Sequence, residues 1–204
     1  AMDVLAAKIE ALALSTVYKD VWNYSGTPAT TPASLAAVLN GGVKLSMGLA
    51  PSSDRHFLTN AKAMAAVVAS MSAYFHKATE LEKAFAEGYI GQASGFKWWE
   101  SEMIPNHTNG SRDDTTPVID TTTIANGATT LTTTGIDNTA TLKAGDVFTV
   151  ADVYAVNPET KSRYEHLQQF VVRTDKTCDS TDVIDVYPTI YISGAKQNVS
   201  VTSA

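Results

Sequence analysis

The chain changes character once, near Glu87, and that change constrains its fold more than any other feature. Nineteen alanines lie in residues 1–87 and nine in the remaining 117. Alanine loses least on entering a helix. Residues 115–141, by contrast, hold twelve threonines in 27, and β-branched side chains favour a pleated, half-buried surface. A chain ordered this way is expected to be α+β, with helices leading and antiparallel strands following. Its 204 residues suffice for one large or two modest domains. A hydrophobic content of 44% against 18% charged favours a packed core over disorder.

Within the first part, Leu5, Ile9, Leu12 and Thr16 recur at helical spacing, which predicts a helix from Asp3 to Trp22. The stretch SGTPATTP breaks it. Thr31 as a cap and Pro32 at the first helical position predict a second helix to about Gly48, with Asn40-Gly41-Gly42 as a point where it could split. APSSD reads as a turn and RHFLT as a short buried strand. Asn60 is placed to cap a third helix carrying Met64, Val67, Val68, Met71 and Phe75 on one side. ATELEKAFAEG makes a fourth, ended by Gly88.

Beyond Gly88 the period becomes alternating. ATTLTTTG, GDVFTVADV, EHLQQFVVRT, DVIDVYP and TIYIS read as strands parted by Gly, Pro, Asn and Asp. Several short strands of this kind predict a small antiparallel barrel or sandwich.

The charge balance narrows function. Net charge is −6, with 15 scattered Lys and Arg, which argues against a phosphate-binding surface spread over the chain. One cysteine, Cys178, excludes an internal disulfide and fits a reducing compartment or a fold that needs no staples. No apolar run reaches the roughly 18 residues of a membrane span, and the N-terminus lacks the basic start of a signal peptide.

Strings suggestive of chemistry are weak. His56, His76, His107 and His166 lack metal-site spacing. Asp175, Asp179, Asp182 and Asp185 lack the glycine and closing Glu of a calcium loop and read as solvated turn residues. Ser193-Gly-Ala-Lys196 follows a β run and not a helix start. Cys178 has no base beside it in sequence. No catalytic, cofactor or metal residue is expected, and the chain is not expected to be an enzyme. The tryptophans are more telling. Trp98 and Trp99 are adjacent, so on a strand they face opposite ways: one joins the core and the other is left near the surface for a partner.

These tryptophans lie within LTNAKAMAAVVASM … FAEGYIGQASGFKWWESEMIPNHTNG, and a second block, TLKAGDVFTVADVYAVNPETK … LQQFVV, follows it. In order and spacing the two blocks resemble the major capsid proteins of tailed bacteriophages, in the branch of the short-tailed Salmonella phage coat protein. The resemblance runs from about Leu5 to Ser203. It implies a Hong Kong-97-like capsid fold: residues 1–24 as the end of the spine helix, 25–107 as the axial domain, 108–196 as an inserted small antiparallel β-barrel domain, and 197–204 as a return strand into the main fold. It implies a structural role in an icosahedral shell, in the virion after synthesis in the bacterial cytoplasm. The implied partners are other copies of the chain, a scaffolding protein, the portal protein and, indirectly, packaged DNA, with no membrane. Trp98, Trp99, Pro105 and His107 become the expected subunit-contact or domain-junction residues. The N-terminal arm, the start of the spine helix and most of the peripheral domain have no counterpart in this sequence. Where some relatives carry a longer charged hairpin, it has only Ile124–Ala128.

Two other readings make distinct demands. A carbohydrate-binding or adhesion module needs exposed aromatics clustered on one β face. A hydrolase needs a histidine beside a carboxylate and a nucleophile in a cleft.

Overall fold

A computed structural model describes residues 2–27, 30–32, 34–71, 92–112, 116–119 and 124–201. The chain is mixed α and β, with a curled antiparallel sheet forming half a barrel. It divides into two units. The first holds Ala1–Leu14 and Ser25–Pro105, the second Ser15–Tyr24 and Asn106–Ala204. The predicted fourth helix and its Gly88 lie outside the described residues, as do His76 and Phe75.

Helix α1 spans Met2–Val17, and its residues up to Leu14 belong to the first unit. It stops five residues short of the predicted end. A 3-10 turn, Tyr18–Asp20, follows, and the backbone is extended at Val21. Ser15, Thr16 and Val17 are weak helix formers. Residues 18–24 also make their contacts with the second unit's sheet, and those contacts override local propensity.

Helix α2, Leu35–Met47, is capped by Ser34, whose hydroxyl accepts from the Ala37 N–H. Thr31 is therefore not the cap. The helix also runs unbroken through Asn40-Gly41-Gly42. Gly42 is held there by packing: a Cβ on it would lie 3.4 Å from the Phe96 ring, so the missing side chain admits the aromatic. Arg55 fastens the far end, donating to the carbonyls of Gly42, Ala50 and Pro51.

Strand β1, His56–Thr59, leads into helix α3, Ala61–Met71. Asn60 caps α3 as expected, its side-chain oxygen accepting from the Ala63 N–H at 2.9 Å. Strand β2, Gln92–Ala93, forms a hairpin with β3, Phe96–Glu100, and β1 pairs with β3 in parallel. Val38 of α2, Met64 and Val67 of α3, and Phe96 and Trp98 of β3 make the core. Two helices thus cover one face of a three-stranded sheet.

The second unit is built from β4 (Val118–Ile119), β5 (Ala128–Thr134), β6 (Thr141–Leu142), β7 (Val147–Val156), β8 (Arg163–Val172), β9 (Lys176–Thr177), β10 (Thr181–Ile190) and β11 (Val199–Val201). Six of these pair in the order β11-β7-β8-β10-β5-β4, and β6 pairs with β9 separately. Among the described residues the sheet does not close: β11 and β4 are its two ends. The threonine-rich stretch does form a strand, with Leu131 and Thr133 buried. DVIDVYP and TIYIS, read from sequence as separate strands, are joined in part by β10. Its pairing with β5 slips between Asp185 and Ile190, around Pro188, which has no N–H to give the ladder. β11 pairs with β7 through Val199–Ala155 and its neighbours. The last described residues, 199–201, therefore belong to this sheet.

Residues 18–24 lie on the sheet as a strap. The Gln169 side-chain amide accepts from the Tyr24 N–H and donates to the Tyr24 carbonyl, both at 3.0 Å. Asp20 pairs with Arg173 at 3.2 Å, and the Trp22 ring meets Tyr187 edge-on.

Candidate functional site

The four residues singled out by sequence fall into two places. Trp98 and Trp99 occupy successive positions of β3 and diverge as the pleat requires. Trp98 is 0% exposed and packs against Phe57 at a tilt of 38°, with ring centres 4.5 Å apart. Trp99 is 53% exposed. Its indole N–H donates to Nδ1 of His56 at 2.8 Å, across the parallel β1–β3 pair. His56, Leu58, Lys97 and Trp99 form the sheet face opposite the helices, and Leu58 is 42% exposed. Asp54, preceding β1 in a left-handed conformation, pairs with Lys97. The hydrogen bond from Lys97, then its charge and that of His56, hold the Asp54 carboxyl below its usual range. This face is a small exposed patch of one indole, one leucine and three charged or ionisable groups.

Pro105 is the last residue of the first unit and is half-buried. His107, two residues on, is fixed inside the second. Its Nε2 donates to Oδ1 of Asp146 at 2.6 Å, and its Nδ1 lies 3.2 Å from the Tyr18 hydroxyl. With the carboxylate as acceptor, neutral His107 carries its proton on Nε2, and Nδ1 accepts from Tyr18. The other Asp146 oxygen accepts from the N–H groups of Gly110, at 3.1 Å, and Lys143, at 2.8 Å. Close backbone approach makes this possible. A Cβ on Gly110 would sit 1.9 Å from the Thr141 carbonyl oxygen, and Gly145, at φ +106°, presses against the Tyr18 and His107 rings.

A histidine beside a carboxylate and a hydroxyl is the first half of what a hydrolase needs. Here both ring nitrogens are already occupied within the chain. The neighbouring cavity is lined by Asp146 but by neither His107 nor Tyr18. The cluster ties three distant stretches, around residues 18, 107–110 and 143–146, into one corner. Sequence reasoning singled out His107 but not Tyr18 or Asp146. Nothing in the sequence links Asp146 to a tyrosine 128 positions earlier.

Of the acidic run Asp175, Asp179 and Asp185 are exposed, as expected of solvated turn residues, and only Asp182 departs from that reading. Asp182 is 1% exposed, pairs with Lys176 at 3.3 Å and accepts from the Asp179 N–H. Asp175 accepts from the Ala144 N–H and Asp185 from the Thr174 hydroxyl. These carboxylates hold turns together. Cys178 is buried in the same corner, and burial, followed by the Asp182 charge, pushes its thiol pKa up, away from nucleophilic use.

Among the described residues no three His, Cys, Asp or Glu are grouped to hold a metal ion, and no helix is long and apolar enough to cross a membrane. Among the described residues the aromatics that stand with the exposed large apolar side chains are Tyr24 and Trp99, one in each unit. No family model matches the chain, and no curated protein matches it in sequence.

Proposed function

We propose that this chain is structural: part of a tailed-phage major capsid protein, with a Hong Kong-97-like axial domain and an inserted half-barrel. Full-length copies would polymerise into an icosahedral shell around a scaffolding protein, carry a portal protein at one vertex and enclose double-stranded DNA. The reading rests first on the two sequence blocks quoted above. The observation that carries it furthest is how the chain uses the first block. Its FKWWE segment supplies β3 and Trp98 to the core of the helical unit. Within a few residues, at Pro105 and Asn106, the chain passes into a separate β unit with its own core. An inserted domain requires such an exit from a strand end.

The mechanism needs no reacting group. Many modest interfaces, multiplied by symmetry, give a stable shell. The Trp99–Leu58–His56 face and the apolar residues exposed on α1, Leu5 and Ile9 among them, supply surface for such interfaces. Expressing the parent reading frame with its scaffolding protein tests the proposal. Uniform closed particles in negative-stain micrographs are the expected result. A soluble monomer under those conditions overturns it.

A further inference from the structure

We propose that the concave interior of the β unit is a binding site for a single-chain amphiphile with an anionic head, of the long-chain carboxylate class. The sheet curls without closing, and its hollow holds a cavity of about 470 Å³, within the range of small-ligand sites, about 300–1,000 Å³. Ile119, Ile136, Leu142, Phe148, Val172 and Ile184 contribute apolar wall. Among the strand residues of the wall the polar side chains are Thr133 and Thr149, and the Thr133 hydroxyl already donates to the Asp182 carbonyl. A sugar or nucleotide would find too few partners inside such a hollow, because buried polar groups need hydrogen bonds. An alkyl tail asks for none.

The head is chosen by charge. Among the described residues two charged side chains line the cavity, Asp146 and Arg112. Both Asp146 oxygens are committed, to His107, Gly110 and Lys143. The exposed Arg112 guanidinium makes no hydrogen bond or ion pair among the described residues. A planar guanidinium beside an apolar hollow matches a carboxylate, which it can grip with two parallel hydrogen bonds.

The test uses the whole chain and cis-parinaric acid, whose fluorescence rises in apolar surroundings, with palmitate and hexadecanol as competitors. Saturable uptake of one probe per chain, displaced by both competitors, is expected. Arg112→Glu should weaken palmitate about tenfold or more and leave hexadecanol unchanged. Ile119→Asp should weaken both. Should either variant unfold, salt decides on the wild-type chain: palmitate affinity falls with added NaCl and hexadecanol affinity does not. Absence of saturable uptake overturns the proposal, as does palmitate binding indifferent to both Arg112→Glu and salt. Amide protection at residues 147–151 that rises with protein concentration, without ligand, would assign the hollow to a second copy of the chain and overturn it equally.

Discussion

Trp98 in the helical unit and Phe170 in the β unit are both fully enclosed, but by different means. Around Trp98 stand Val38, Met64, Val67 and Phe96, a core of five buried residues among those described. Phe170 belongs to a cluster of twelve, drawn from β5, β6, β7, β8, β10, β11 and the loops between them. The helical unit leaves much apolar surface outside: α1 has no buried residue, and Leu39, Val43 and Leu45 of α2 are exposed. The β unit covers part of its outer face with the strap of residues 18–24. The contrast teaches that one unit is finished within the chain, apart from its hollow, and the other presents surface. Large exposed apolar areas mark sites of association, which is what the proposed structural role would ask of this unit.

The largest effects test the cores. Trp98→Ala should cost about 3–5 kcal/mol, and Phe170→Ala a similar amount. In hydrogen exchange, each should open its own unit first: α2, α3 and β3 for the tryptophan, β7, β8 and β10 for the phenylalanine. Loss of protection spread evenly over both units would erase the contrast. Trp99→Ala, one residue along, should cost under about 1 kcal/mol, because its indole contacts little beyond His56.

Next comes the corner pin. Asp146→Ala strips the acceptor from two backbone N–H groups and one imidazole. A loss of about 2–4 kcal/mol is expected from those unmet donors, measured by urea denaturation. Asp146→Asn keeps one acceptor and should fall between.

The strap sharpens the comparison further. Residues 108–196 alone, the β unit as the resemblance outlines it, lack Tyr18–Tyr24 and β11. Such a piece should melt well below one that also carries residues 15–24 and 106–201. Equal melting temperatures by circular dichroism would show the strap to be idle. In the whole chain, Gln169→Ala should cost about 1 kcal/mol.

Smaller effects follow from two titrations. Cys178 has a raised pKa, so the favoured form is the neutral thiol. Its contribution is complete below the unfolded value, about 8.5, and is lost as pH rises through the higher folded value. The native chain should therefore react slowly with a disulfide reagent at pH 8 and rapidly once unfolded. Asp54 runs the other way. Its depressed pKa gives a contribution present above the unfolded carboxylate value, about 3.9, and lost as pH falls through the folded one. Lys97→Ala should return the Asp54 titration towards its ordinary position by NMR, with thermal stability nearly unmoved, since the pair is exposed and screened by water.

Much of this architecture was legible from residue types. The Asn60 cap, the opposed tryptophans and strands β5, β7 and β8 follow from side-chain geometry repeated at short range. The end of α1 was not, because residues 18–24 answer to Gln169, Arg173 and Tyr187, about 150 positions away. Nor was the persistence of α2 through Gly41-Gly42, which depends on Phe96 filling the space. Asp182 looked like a turn residue, and its burial is set by Lys176 and by the sheet that folds over it.

Order of elements, helix or strand, and which neighbours share a face are local properties, and the amino-acid sequence determined them here. Which distant stretches meet was decided only by tertiary structure: Tyr18 with His107 and Asp146, the strap with β8 and β10, β11 with β7. The physical reason is one of scale. Local preferences amount to tenths of a kcal/mol per residue, whereas closing a buried corner satisfies several donors and excludes water at one stroke, and the tertiary contacts prevail where the two conflict.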